Sequence, residues 1–162
     1  MHNKEEFIGI IKANEGLIYK VVKVYAYDKE DQQDLYQEIV YQLWRSFPSF
    51  RQDAKISTWM YRIALNTSIT YSKKEKKNGN RIPLDDMLLN RTDPGDETKN
   101  ERIETLYANI RMLNTVEKGI ILLYLEEKSY EEIAAITGFT ATNIGTRLGR
   151  IKQKLIQQIK NE

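Results

Sequence analysis

The residues of this chain whose types suit chemistry with another molecule are concentrated towards its C-terminus. Between Ala141 and Lys160 there are five basic residues and no acidic residue, the five being Arg147, Arg150, Lys152, Lys154 and Lys160. Lysine and arginine pair with phosphate oxygens, and arginine also donates two parallel hydrogen bonds to the edge of guanine. The chemistry that this segment offers is therefore charge pairing and hydrogen bonding with a nucleic acid.

Two short helices are predicted to position these side chains. Ser129 and Glu132 have the spacing of a capping box, in which each side chain bonds the backbone N–H of the other residue. Gly138 stands where a left-handed residue ends a helix, and Thr140 or Thr142 can cap the next one. Two helices joined by a tight glycine turn, the second of them basic, are typical of a DNA-reading helix-turn-helix. The alternative is a helical hairpin with an ordinary solvated basic face.

The spacing of apolar residues predicts which faces of these two helices are buried. The expected buried residues are Tyr130, Ile133, Ala134 and Ile136 on the first helix and Ile144, Leu148, Ile151 and Leu155 on the second. Opposite that stripe lie Thr142, Thr146, Gly149 and Gln153, with Asn143, Arg147, Arg150 and Lys154 along one flank. Gly145 and Gly149 each cost a helix about 1 kcal/mol relative to alanine. One explanation is that these glycines allow a close approach to DNA or to a neighbouring helix. The alternative is that they are neutral substitutions that the helix tolerates.

A second group of charged residues is acidic. Residues 28–38 carry five acidic residues against one lysine, and apolar residues in steps of four (Leu35, Ile39, Leu43, Phe47) predict a helix that Asp31 caps and Pro48 ends. The opposite face carries Asp34, Gln37, Glu38, Tyr41 and Arg45. Like charges four residues apart destabilise an isolated helix by a few tenths of a kcal/mol, and a basic partner would reverse that penalty. The alternative is an ordinary solvated face.

A third helix, predicted from Ile56 or Ser57 to about Lys77, interleaves aromatic and basic residues. Aromatic rings can stack on unpaired bases while lysine or arginine meets phosphates. The alternatives are that Trp59 is simply a core residue, and that the cluster from Lys73 to Lys77 is a solubilising helix end whose cations suit the helix dipole.

Composition narrows the class of protein. The 162 residues include 8 Gly and 3 Pro, which favours helices, and the chain has no cysteine and one histidine, His2. Disulfide scaffolds, cysteine-ligated zinc and histidine-dependent catalysis are therefore not expected, and neither is an enzyme or a cofactor. The apolar runs are far shorter than the roughly 18 residues that span a bilayer, and the N-terminus lacks a signal-peptide core, so we expect a cytoplasmic protein.

These segments together, in this order, resemble the sigma-70 family, and specifically its smallest members, the extracytoplasmic-function (ECF) sigma factors. The matching residues are Asp34-Leu35-Tyr36-Gln37-Glu38 with Trp44 and Phe47, then Phe50-Arg51, Thr58 to Ala64 with Asn66, Ser129 to Ala134, and Arg147-Leu148-x-Arg150. The match extends over nearly all of residues 5–158 outside the linker. Its specificity rests on the ordered set, because each motif alone is short.

The resemblance implies an all-α protein of two small domains: region 2 over residues 1–77, a flexible linker over 78–100, and region 4 over 101–162. It implies a non-catalytic subunit that directs core RNA polymerase to promoter DNA, and relatives are often held inactive by an anti-sigma factor. The implied polymerase-binding residues are Asp34, Leu35, Gln37, Glu38 and Tyr41. The implied −10 residues are Lys55, Trp59, Arg62, Asn66, Tyr71, Lys73 and Lys74, and the implied −35 residues are Thr142, Asn143, Thr146, Arg147, Arg150 and Lys154.

Three departures from the family pattern carry expectations of their own. Where relatives usually have Leu-Pro, this chain has Leu113-Asn114-Thr115, and Thr115 can cap the helix that follows. Where relatives often have a lysine in the last helix, this chain has Gly145, which removes one expected phosphate contact. Met60 replaces the second tryptophan of the large housekeeping relatives and weakens strand separation. The rival functions are a free-standing helix-turn-helix regulator, an enzyme, and a helical adaptor that binds no nucleic acid.

Overall fold

The structure is a computed structural model that describes residues 3–51, 54–77 and 97–160, and within these ranges it is helical with no strand. The helices are α1 (Lys4–Ala13), α2 (Glu15–Tyr25), α3 (Lys29–Ser46), a 3₁₀ turn (Phe47–Ser49), α4 (Ile56–Lys77), α5 (Glu97–Arg111), α6 (Thr115–Leu125), α7 (Tyr130–Thr137) and α8 (Ala141–Lys160). The all-α prediction is confirmed. Most of the predicted linker, including the apolar stretch Met87-Leu88-Leu89, lies outside the described residues.

Helices α1 to α4 form the N-terminal domain around the apolar line of α3. Leu35, Ile39, Leu43 and Phe47 are at most 1% exposed, as their spacing of four predicted. The predicted cap of α3 was wrong by one turn. Asp28 caps the helix by accepting a hydrogen bond from the backbone N–H of Asp31 at 2.7 Å. Asp31 stands instead in the first turn, where its negative charge suits the helix dipole.

Helices α5 to α8 form the C-terminal domain, and most of its predicted caps are present. Ser129 and Glu132 form the capping box of α7, Gly138 ends that helix with a left-handed φ of 88°, and Thr140 accepts the backbone N–H of Asn143. At the start of α6 the cap is Asn114, which forms a second capping box with Glu117, and not Thr115 as predicted. Asn114 is therefore the residue that caps the start of α6.

Of the eight residues predicted to form the buried stripe of the helix-turn-helix, five are buried, two are partly buried and one is exposed. Ile133, Ile136, Ile144, Leu148 and Ile151 are at most 5% exposed, while Ala134 and Leu155 are partly buried. Tyr130 is 40% exposed, so its predicted burial was wrong. Its ring lies over Gly145 of α8, where an added Cβ would come within 3.2 Å of the ring carbon Cε2.

The two domains pack directly on each other. Helix α2 packs against α5 and α6, and α4 packs against α6 and α7, so that the buried residues of both domains form one continuous cluster. Gly119 of α6 lies at this interface, where an added Cβ would be 3.2 Å from the Tyr25 hydroxyl and 3.3 Å from Leu65 Cδ2. Among the described helices, none is both long enough and apolar enough to cross a membrane.

The two glycines inside α8 lie in the same helix but have different surroundings, so the effects of substituting them can be compared directly. A Cβ at Gly149 meets nothing within 4 Å, whereas one at Gly145 meets the Tyr130 ring. We expect Gly149→Ala to raise the free energy of unfolding by about 0.5–1 kcal/mol, because alanine loses less backbone entropy in a helix. Gly145→Ala should gain less, since the Tyr130 ring must shift. Denaturant unfolding of both variants checks this, and an equal or larger gain at Gly145 would contradict it.

Candidate functional site

The outward face of α8 carries small polar side chains flanked by basic ones. Thr142, Thr146, Gly149 and Gln153 are exposed, in agreement with the predicted orientation, and so is Arg150. The Thr146 hydroxyl donates to the Thr142 carbonyl oxygen at 3.3 Å, which leaves its methyl group on the surface. A helix with such a surface fits the major groove, because short side chains let the helix axis approach the base edges.

Arg147 of α8 is held in place by two neighbours. Its Nε donates to Asn143 Oδ1 at 2.7 Å, and the centre of its guanidinium lies 4.1 Å from the centroid of the Phe139 ring. The hydrogen bond and the ring contact restrict the side chain before any ligand arrives, which lowers the entropy that binding must remove. The sequence placed Arg147 beside Asn143, but it did not indicate the contact with Phe139.

The remaining cations of α8 are not equally available. Lys154 forms an ion pair with Glu117 of α6 at 2.6 Å, and Lys152 donates to the Tyr124 hydroxyl at 3.0 Å, a hydrogen bond that raises the pKa of this lysine. A phosphate would have to displace Glu117 to contact Lys154. Of the predicted phosphate contacts on this helix, Arg150 is therefore the more accessible.

On α4 the predicted nucleic-acid residues divide into buried and exposed members. Trp59 is 9% exposed and stacks against Phe50 at 4.6 Å between ring centroids, so the structure supports its role as a core residue and not as a stacking platform. Met60, beside it, is fully buried. Asn66, Lys73 and Lys74 are exposed, and the half-buried Tyr71 places its hydroxyl 3.5 Å from Asp31 Oδ1.

Two predicted −10 residues contact the other domain. Arg62 Nη2 donates to the backbone carbonyl of Ala135 in α7 at 2.7 Å. Lys55 Nζ lies 3.9 Å from Glu132 Oε2. Hydrogen bonds from Ser129 lower the pKa of the Glu132 carboxyl, which keeps it ionised opposite Lys55. Arg62 and Lys55 thus use part of their donor capacity within the chain.

The acidic face of α3 is on the surface, with one exception. Asp34, Gln37, Glu38 and Tyr41 are exposed, and Glu38 accepts a hydrogen bond from Gln42 at 3.0 Å. Leu35 is 0% exposed, so the structure contradicts its assignment as a contact residue. Its methyl groups pack in the core of the N-terminal domain and anchor α3, which carries the acidic face.

Two grooves flank this acidic face. A polar groove of about 610 Å³ lies between α3 and α4, and it brings predicted polymerase residues beside predicted −10 residues; its lining includes Asp34, Glu38, Asn66, Tyr71 and Lys74. An apolar groove of about 570 Å³ lies between α3 and α1, and its lining includes Phe7, Ile8, Gln37, Tyr41 and Trp44. The sequence predicted neither groove, because each is formed by two helices.

Trp44 and Ile8 are surface residues that sequence reasoning did not select as contacts. They are 43% and 40% exposed, and Tyr41 beside them is 53% exposed. Aromatic residues are enriched where proteins contact one another, so this patch extends the candidate protein-binding surface from α3 onto α1. The spacing from Gln37 to Tyr41 and Trp44, in steps of four and three, is the signal that identifies Trp44.

Comparison with known proteins identifies the family. Residues 10–78 match Sigma-70 region 2, and residues 103–155 match Sigma-70 region 4. The chain is 28% identical to RNA polymerase sigma factor SigV of Bacillus subtilis over 144 residues, which cover 89% of this chain and 85% of that protein. It is also 28% identical to the ECF RNA polymerase sigma-E factor of Haemophilus influenzae over 146 residues, covering 81% of this chain and 76% of that one.

The fold has a counterpart among solved structures. In the co-crystal structure of the sigma factor RpoE with the anti-sigma factor NepR from Bartonella quintana, RpoE matches with a TM-score of 0.66 at 20% identity, over 97% of this chain and 96% of that one. The likeness therefore extends over both domains. The two family matches and the similarity to the curated relatives, to which the structure adds the same fold, show that this chain belongs to the sigma-70 family, in its ECF group of RNA polymerase sigma factors.

Proposed function

We propose that this chain binds core RNA polymerase and directs it to promoters, reading the −35 element with α8 and the −10 element with α4. Residues 1–77 act as region 2, residues 101–162 act as region 4, and residues 78–100 connect them. The observation that carries the proposal is Arg147, which Asn143 and Phe139 hold on the reading helix of a helix-turn-helix. In this function the polymerase is the catalyst, and the chain contributes binding and recognition only.

The polymerase contact is assigned to the acidic face of α3. Asp34 and Glu38 lie one turn apart on the surface, and Gln37 and Tyr41 connect them to the apolar groove beside α1. A basic partner surface offsets the repulsion between the two carboxylates, and Tyr41 and Trp44 supply apolar area at the same site. RNA polymerase is the partner named for the relatives SigV and sigma-E. An anti-sigma factor, the partner named for RpoE, is a second candidate for this chain.

The −10 contact is assigned to the exposed side of α4. Asn66, Lys73 and Lys74 are on the surface, and Tyr71 lines the polar groove with Asn66 and Lys74. An unpaired base can hydrogen-bond to Asn66, and Lys73 and Lys74 can meet phosphates. Trp59 contributes by packing, and Lys55 and Arg62 contribute only after they leave Glu132 and Ala135.

Promoter-dependent transcription with purified core polymerase tests this function. Core polymerase alone should give little specific transcript, and addition of the chain should give transcripts that start at a fixed distance from −35 and −10 sequences. A free-standing helix-turn-helix regulator would instead bind duplex DNA without polymerase, and it would have no use for the acidic face of α3. Failure of the chain to bind core polymerase would refute the proposal.

Lys73 and Lys74 are expected to contribute through phosphate contacts. Replacing both with alanine should weaken open-complex formation and lower its salt dependence, by about 0.7 to 0.9 in log–log slope per lost contact. Lys12→Ala with Lys29→Ala removes the same charge from exposed positions of α1 and α3 and serves as the control. Open-complex formation at several salt concentrations gives the slope. An unaltered slope in the Lys73/Lys74 variant would mean that these lysines are only solvated helix-end charges.

A further inference from the structure

The turn between α7 and α8 holds a half-buried aromatic residue, Phe139. Gly138 ends α7 with a left-handed φ of 88°, and the backbone N–H of Phe139 then donates to the Thr137 hydroxyl oxygen at 3.4 Å. The Phe139 ring packs against the apolar core of the protein. The turn and the core therefore fix the position of this ring before any ligand binds.

Phe139 restricts the way in which Arg147 can meet a ligand. The centre of the guanidinium lies over the ring, 4.1 Å from its centroid, and Arg147 Nε donates to Asn143 Oδ1 at 2.7 Å. The ring covers one side of the guanidinium and Asn143 occupies the Nε–H, so the edge formed by the two Nη nitrogens is left for a ligand. Arg150, one turn further along α8, is exposed and makes neither kind of contact with the described residues.

The two arginines of α8 are thus suited to different ligands. A phosphate carries charge on several oxygens, so a freely moving arginine such as Arg150 can meet it in many orientations. A contact with a base edge needs two donors in one plane at one position, and an arginine that is already restricted loses less conformational entropy when it forms that contact. The restriction by Phe139 therefore favours base recognition and adds little to charge pairing.

The same hydrogen bond changes what Asn143 can recognise. An asparagine amide ordinarily pairs with adenine, by accepting from the N6 amino group and donating to N7. The Asn143 oxygen already accepts from a cationic donor, and a second donor brought to that oxygen would meet the positive charge of the guanidinium. Asn143 is therefore left with its amino group as a donor to a base.

We propose that Phe139 is a positioning residue for promoter recognition, and that Arg147 and Asn143, which it and their mutual hydrogen bond hold in place, act together as donors only. Guanine and thymine present keto oxygens in the major groove, whereas adenine and cytosine present amino groups. No acidic residue occurs between Ala141 and Lys160 that could accept from an amino group. The pair therefore selects keto bases at two neighbouring −35 positions. The inference rests on the proposed function, in which α8 reads this element.

Replacement of the ring tests the positioning role. Phe139→Leu keeps an apolar side chain but removes the aromatic face, and it should reduce the preference for the best base at the Arg147 position by about three- to tenfold. The salt dependence of binding should not change, because Arg147 keeps its charge. Phe139→Tyr should retain the preference. Binding of the holoenzyme to a panel of −35 point mutants at two salt concentrations measures both quantities.

A double-mutant cycle separates positioning from a merely structural role. In an Arg147→Ala background, Phe139→Leu should cause no further loss of preference, since the side chain that it positions is gone. Tyr124→Leu is the matched control, because it removes another contact between an aromatic ring and a cation of α8, Lys152 Nζ at 4.2 Å from the ring centroid. It should leave the preference unchanged. If Phe139→Leu weakens binding to all −35 sequences equally, with or without Arg147, the ring only supports the fold and the inference is overturned.

An isosteric change tests the donor role of Asn143. In Asn143→Asp one carboxylate oxygen can still accept from Arg147 and the other replaces the amino donor, so the preference at the Arg147 position should remain. The preference at the neighbouring position should change from a keto base to cytosine or adenine. Adenine preferred there by the natural chain would overturn the inference, as would −35 preferences that survive both Phe139→Leu and Asn143→Asp. Absence of any −35 preference in the natural chain would instead refute the proposed function, and the inference with it.

Discussion

Reversal of two charges on α3, Asp34→Arg with Glu38→Arg, should weaken binding to core polymerase by roughly 2 kcal/mol or more, about 30-fold. Both carboxylates are exposed and point away from the buried line through Leu35 and Ile39, so the fold should be retained. Relieving the repulsion between the two carboxylates does not restore binding, because two arginines repel a basic partner. Equilibrium binding to core polymerase measures the loss, and circular dichroism checks the fold.

The measurement has to exclude an effect on DNA. Asp34 and Glu38 line the polar groove with Asn66 and Lys74, so the variant changes the surroundings of the proposed −10 residues as well. Binding is therefore measured without promoter. Glu101→Arg with Glu131→Arg makes the same change in net charge at exposed positions of the C-terminal domain and should bind nearly as well as the natural chain. If the α3 variant retains full affinity, the acidic face is not the polymerase contact.

Removal of the Arg147 side chain should have the largest effect on promoter selection. Arg147→Ala is expected to cost about 1–3 kcal/mol in promoter binding by the holoenzyme and to relax preference at one position of the −35 element. The reason is that its guanidinium, already held by Asn143 and Phe139, offers a fixed pair of donors to a base edge. Arg147→Lys keeps the charge but loses that geometry, so it should keep the salt dependence and lose the preference.

Arg150 provides the comparison on the same helix. It is exposed, and Arg150→Ala should weaken binding to all −35 sequences alike and reduce the salt slope by about one unit, as expected of a phosphate contact. A panel of −35 point mutants at two salt concentrations distinguishes the two arginines, with unfolding free energies measured for each variant. If neither substitution alters promoter binding by folded protein, α8 does not read DNA.

The helices of this protein were largely predictable because their signals are local. The steps of four through Leu35, Ile39 and Leu43, the capping box of Ser129 and Glu132, and the left-handed Gly138 each depend on residues within one or two turns. The errors were local too. Asp28 and not Asp31 caps α3, and Asn114 and not Thr115 caps α6, because neighbouring polar residues can all cap a helix and only the backbone conformation selects one.

The sequence by itself determined that the chain is all-helical, that its last helix is basic on one face and apolar on the other, and that the pattern is that of a sigma factor. The tertiary structure decided which of the polar and aromatic residues remain available. Trp59 is buried against Phe50, and Lys154 is paired with Glu117. Arg62 and Lys55 face acceptors of the other domain. Helical periodicity assigns a residue to a face of its own helix, but burial and pairing depend on which distant helix covers that face.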